Sequence, residues 1–135
     1  MLFTLTMNRN ADFQRLYRQG AFCSLGAALL YAMPNQLPCN RLGITAGKKV
    51  GNAVMRNRAK RIIRAAYAAA EPNLPIGLDI VIVARASLPA QSSLVLTKAL
   101  CEKGTRHLNG VGSGEIPSGK AVQKKKPASG TPAQG

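Results

Sequence analysis

The sequence predicts an α/β sandwich, and three observations carry that expectation. A short strand pattern (Arg41–Ala46), a long amphipathic helix pattern (about Ala53–Ala70) and a continuous β-branched run (Ile80–Ala84) follow one another. That succession is a crossover joining parallel strands, the mark of helices packed on a sheet. The 135 residues are 46% hydrophobic, enough for one core and too few for two. Past Asn109, Gly, Ser, Pro and Lys displace the hydrophobes, so the domain is expected to span 1–108 and a disordered basic tail 109–135.

Asn10 or Asp12 is placed to cap a first helix over Ala11–Arg18, with Phe13, Leu16 and Tyr17 on one face and Gly20 as its stop. Leu25–Met33 suits a strand ending at Pro34, although its Ala and Leu content suits a helix as well. Pro34–Asn40 is a loop. In Arg41–Ala46 the alternation puts Leu42, Ile44 and Ala46 on one face, and Gly47 ends the strand. Pro72 and Pro75 forbid continuation of the next helix. Gly77-Leu78-Asp79 turns the chain into Ile80–Ala84, a strand expected to be buried on both faces, with Asp79 as a turn or cap residue. Ser92 or Ser93 caps a last helix to about Leu108, with Leu96, Leu100 and Cys101 inward.

Nineteen Lys and Arg against five Asp and Glu give a net charge of +14. Such a balance calls for a polyanionic partner, because each neutralised phosphate releases counterions. The charge is also clustered. Lys48–Arg64, KKVGNAVMRNRAKRIIR, holds seven cations and no acid. At 100° per residue Met55, Ala59, Ile62, Ile63, Ala66 and Ala70 fall on one side, and Arg56, Asn57, Lys60, Arg61 and Arg64 on the other. One side docks on a core while the other faces a nucleic acid. No acid intersperses to make i, i+4 pairs, which argues against a merely solvated charged face.

Three cysteines (Cys23, Cys39, Cys101) without a CxxC spacing, and a single His107, are expected to be free thiols in a reducing cytoplasm and not a metal site. No secretory signal or membrane span is expected. Gly43, Gly47 and Gly51 fit neither GxGxxG nor a P-loop. Five acids make a protein-only acid/base or two-metal nuclease site hard to assemble, so no catalytic residue and no metal ligand is assigned.

The run RLGITAGKKVGNAVMRNRAKRIIRAAY (Arg41–Tyr67), with DFQRLYRQG (Asp12–Gly20) before it and DIVIVAR (Asp79–Arg85) after it, resembles the protein subunit of bacterial ribonuclease P. The likeness covers roughly residues 9–108, and GNAVxRNRxKR is its most specific part. It implies a mixed sheet of about four strands with helices and a left-handed βαβ crossover, where the general rule is right-handed. It also implies a ribonucleoprotein that removes the 5′ leader of precursor tRNA, with cleavage and most of the Mg²⁺ on the RNA subunit and one protein per RNA. By the same likeness Lys48, Arg56, Asn57, Arg58, Lys60, Arg61 and Arg64 bind the RNA subunit, and Arg9, Phe13, Tyr17, Leu29, Tyr31 and Lys49 bind the leader. Arg15 is a further candidate for a leader phosphate.

The residues alone leave the aromatic set open, since Phe13, Tyr17, Leu29 and Tyr31 also suit ordinary core packing. Two departures from the family pattern stand out: only Arg9 is basic before Phe13, and Ala65 replaces a common Glu. The rival function is a structural rRNA-binding protein. A membrane-surface helix is disfavoured, because Ala, Ile and Met replace the bulky Trp, Phe or Leu it needs.

Overall fold

The computed structural model describes residues 2–118. Five strands, β1 (Thr4–Thr6), β2 (Ala21–Ser24), β3 (Ala28–Pro34), β4 (Asn40–Thr45) and β5 (Leu78–Ala84), form one mixed sheet in the order β1-β4-β5-β3-β2. β4 pairs parallel with β1 and β5, and β3 antiparallel with β5 and β2. Four helices complete the fold: α1 (Asn10–Gln19), α2 (Ala53–Ala70), α3 (Ser93–Ala99) and α4 (Thr105–Ser113). The parallel β4–α2–β5 crossover expected from the sequence is present. No helix among the described residues is long and apolar enough to cross a membrane.

The sheet has two unequal faces. Even-numbered residues of β3, β4 and β5 (Leu30, Ala32, Leu42, Ile80, Ile82) pack with Ala59, Ile63, Ala66 and Tyr67 of α2 and with Leu96, Leu100 and Leu108 beyond. Odd-numbered residues face α1, whose Leu16 is buried with Met7 and Val81 while Phe13, Tyr17, Tyr31, Met33 and Val83 pack partly buried around them. β5 therefore lies between two cores, which its β-branched run anticipated.

β1 and β2 were not expected, and each depends on distant partners. The buried Glu71, just past α2, accepts the backbone N–H of Leu2 (2.7 Å) and Phe3 (3.0 Å), holding β1 beside β4. Burial raises the Glu71 carboxyl pKa, but hydrogen bonds from the Thr4 hydroxyl and the two amides pull it back, and the net shift is down. β2 turns into β3 at Gly26, whose φ of +87° favours glycine.

Four further expectations are corrected. Arg9, not Asn10 or Asp12, is the N-cap of α1, because the Asp12 carboxylate is drawn to Arg15 (3.0 Å). Met55 is 39% exposed, since the first turn of α2 overhangs the core. Cys101 is exposed, because the buried stripe steps through Leu96, Leu100, Gly104 and Leu108 across a π-helical turn at Leu100–Gly104. The last helix continues past Leu108 to Ser113, with Val111 buried and Ile116 packed on the core. The part of the expected tail at 119–135, with Lys124-Lys125-Lys126, lies outside the described residues.

The largest correction concerns Asp79. It is no turn residue but the second residue of β5, 1% exposed. Its carboxylate accepts from Arg41 Nε (2.8 Å) and Nη2 (2.6 Å), Arg15 Nη2 (2.7 Å) and Asn35 Nδ2 (3.0 Å). Burial opposes its ionisation, yet Arg41 above all, then Asn35 and Arg15, hold the carboxyl below its usual pKa. Asp12 joins the cluster, 3.8 Å from Arg41. The cluster ties α1 (Arg15) to β4 and β5 at one end of the sheet face.

Asp79→Asn is expected to destabilise the fold by about 3 kcal/mol at pH 7 in urea titrations, since it strips the charge partner from two arginines. A depressed folded-state pKa contributes stability that is complete above the unfolded value and lost as pH falls through the folded one. The wild-type protein should therefore weaken progressively below about pH 4, and the variant should weaken less.

Candidate nucleic-acid interface

The outer side of α2 carries the cation row. Asn52 starts the helix, its Oδ1 accepting the Met55 N–H (3.0 Å), and the buried underside fixes the helix's rotation. Arg56, Lys60 and Arg64 recur at i, i+4 and i+8, about 6 Å apart along the axis. Asn57, Arg58, Arg61 and Arg64 are exposed, as is Lys48 in the 3₁₀ turn before α2.

The cations divide between two flanks. Lys60 and Arg64 border a cavity on the α1 side, whereas Arg58 and Arg61 border an open depression toward Gln91–Ser93. Arg58 is anchored there, its Nε donating to the Pro89 carbonyl at 2.9 Å. A planar guanidinium held at one nitrogen still presents the others to phosphate oxygens.

On the opposite sheet face, register sorts the side chains into rows. Arg41, Asp79 and Met33 make the ionic row; Gly43, Val81, Tyr31 and Phe22 the middle row; Thr45, Val83, Leu29 and Ser24 the third. α1 lies over the first two. Phe13 rests on Gly43, where any Cβ would overlap its ring, so the glycine is a seat for the aromatic. Tyr17 meets Tyr31 edge-on at 5.2 Å between ring centroids, and Phe22 meets Tyr31 at 5.3 Å. Burial, then the neighbouring Tyr17, raises the Tyr31 pKa, which keeps the phenol neutral.

Beyond α1 the third row is open. Leu29 and Val83 line a groove of about 730 Å³ with Lys49, Gly26 and Arg85 at its margins. The structure thus brings Tyr17, Tyr31, Leu29 and Lys49 onto one side of the sheet, with Arg9 one helical turn before Phe13 on α1. Arg15 stands apart, turned to Asp12 and Asp79. Sequence reasoning missed Phe22, 54% exposed beside Tyr31, and Arg85 at the groove margin. The signal for Phe22 was its place two residues before Ser24 in a strand that ends at a glycine turn.

His107 is turned inward, Nε2 donating to the Ala21 carbonyl at 3.1 Å, and burial lowers its pKa. Three of the acids have internal partners. Asp12 and Asp79 face arginines, Glu71 takes backbone amides, and among the described residues no three His, Cys, Asp or Glu cluster to hold a metal.

Comparison with known proteins places the chain in a family. The Ribonuclease P family pattern matches residues 3–107. The ribonuclease P protein component of Natranaerobius thermophilus is 40% identical over 81 residues, 60% of this chain and 70% of that protein. That of Brevibacillus brevis is 37% identical over 95 residues, 70% and 75% of the two chains. The solved RNase P protein of Staphylococcus aureus superposes with a TM-score of 0.65 at 30% identity, covering 78% of this chain and 95% of that one. The Thermotoga maritima RNase P protein shares the fold, with a TM-score of 0.67 at 24% identity over 75% and 96%. With the pattern spanning strands, cation row and aromatic groove alike, the chain belongs to the ribonuclease P protein family.

Proposed function

We propose that this protein binds two RNAs at once, the catalytic RNA subunit of ribonuclease P through α2 and the precursor tRNA 5′ leader through the groove beside α1. The observation that carries the proposal is the division of the sheet. The cation row rides on the helix packed against one face, and the aromatic groove opens on the other. Arg56, Lys60 and Arg64, with Lys48, Asn57, Arg58 and Arg61, meet phosphates and 2′-hydroxyls without reading bases, as suits a folded RNA. Tyr17, Tyr31 and Leu29, with Phe13 behind them, give unpaired leader bases an apolar face, while Lys49 and Arg9 hold their phosphates.

Cleavage rests with the RNA subunit, and so does most of the Mg²⁺. The protein's share is discrimination and charge. Only a precursor has a leader to fill the groove, so precursor binds more tightly than mature tRNA. The cations also relieve repulsion between two RNAs and lower the Mg²⁺ the particle needs. The scheme calls for one protein per RNA, assembled in the cytoplasm.

A cleavage assay on precursor tRNA at low Mg²⁺ should show no activity for the protein alone, little for the RNA subunit alone and efficient cleavage for both together. Cleavage by the protein alone, or no benefit from adding it, would refute the scheme. Replacing Arg56, Lys60 and Arg64 by Ala should reduce the steepness of log K against log salt for the RNA subunit by up to about 3. An unchanged slope would remove α2 as the anchor. Tyr17→Ala should weaken precursor binding by ~1–3 kcal/mol while sparing mature tRNA. Equal weakening of both would make the aromatic set ordinary core and favour a structural RNA-binding role.

A further inference from the structure

We propose that a cavity at the open edge of β4, between α1 and α2, captures one unpaired nucleotide of the RNA subunit. The proposal rests on α2 binding that RNA. The cavity measures about 230 Å³, and its walls include Thr6, Asn8, Phe13, Ile44, Lys60 and Arg64. It falls below the roughly 300–1,000 Å³ of sites for drug-sized ligands, and suits a single base with its sugar.

The cavity exists because β1 is short. β1 pairs with β4 only from Asn40 to Leu42, the last tie being the Met7 N–H to the Leu42 carbonyl at 2.8 Å. There the chain swings away into α1, while β4 continues to Thr45. Strand alternation turns the polar backbone groups of Ile44 to the same side as the Leu42 carbonyl, toward the cavity.

Each wall suits one part of a nucleotide. Phe13, held on Gly43, gives an aromatic surface against which a base can pack, and Ile44 supplies aliphatic contact. The Asn8 amide and the Ile44 backbone offer donors and acceptors to a base edge. Lys60 and Arg64 are placed for the flanking phosphates. Unstacked bases held by aromatic contact, edge hydrogen bonds and cationic phosphate clamps are the usual currency of single-stranded RNA recognition.

The source is the RNA subunit and not the leader. Lys60 and Arg64 belong to the α2 row, and the cavity shares only Phe13 with the aromatic set on the other sheet face. Phe13 thus stands between the two RNAs. On this assignment it is a wall common to both sites.

The test fills the cavity. Asn8→Trp, in the exposed connection between β1 and α1, should weaken assembly with the RNA subunit by about 10-fold or more, the loss of one stacked base. Leu5→Trp, equally bulky but outside the cavity, should leave assembly unchanged, and thermal melting should show both variants folded. Benzoylphenylalanine at position 8 should photocrosslink in the assembled particle to one unpaired nucleotide of the RNA subunit. Normal assembly of Asn8→Trp, crosslinks spread along paired RNA, or crosslinks to the leader of bound precursor would each overturn the proposal. If wild-type protein fails to bind the RNA subunit, the underlying reading falls instead.

Discussion

A carboxylate buried in the sheet governs this protein. Asp79 sits in a strand otherwise composed of Leu, Ile, Val and Ala, and burial alone would neutralise it. It stays charged because Arg41 from the neighbouring strand and Arg15 from α1 converge on it. The consequence is architectural. α1 has only a narrow apolar face, and a buried charge demanding an arginine from that helix specifies where it must lie. Phe13 then falls over Gly43, and Tyr17 over Tyr31. Everything open on that face, including the groove at Leu29 and Val83, is what α1 leaves uncovered.

On the proposed function, the same sheet separates two kinds of RNA contact. α2 is rigid because six residues of its underside are buried, so its cations form a patterned surface instead of a flexible basic tail. That rigidity favours a folded RNA of matching shape. The α1 face offers aromatic and aliphatic side chains with cations at its margins, which favours unpaired bases. β5, buried against both helical layers, makes the two surfaces mechanically one. On that proposal the protein influences cleavage by fixing one RNA relative to another, which is a matter of positioning.

What the sequence disclosed follows the range of the interactions. The bounds of α2, Ala53–Ala70, were legible because periodicity and the Pro72 stop are local. Tyr17 and Tyr31 were recognisable as partners through helix and strand periodicity with the family likeness. β1 was not legible, since three residues become a strand only when Glu71 takes Leu2 and Phe3, nearly seventy positions away. The role of Asp79 was hidden for the same reason, its arginines lying 38 and 64 positions off. Phe22 was missed because its role depends on the register of β2 against β3. Arg15, read as a phosphate contact, is also engaged by Asp12 and Asp79, a partnership that charge alone could not foretell.

The claim that two faces serve two RNAs is tested most directly by placing 4-thiouridine at single positions in the leader of a precursor tRNA and irradiating the assembled particle. Crosslinked peptides should come from α1, β2, β3 and the Arg85 segment, with Tyr17, Tyr31, Phe22 or Leu29 at the attachment points. Leader crosslinks confined to the α2 cation row, with none on the aromatic face, would contradict the account.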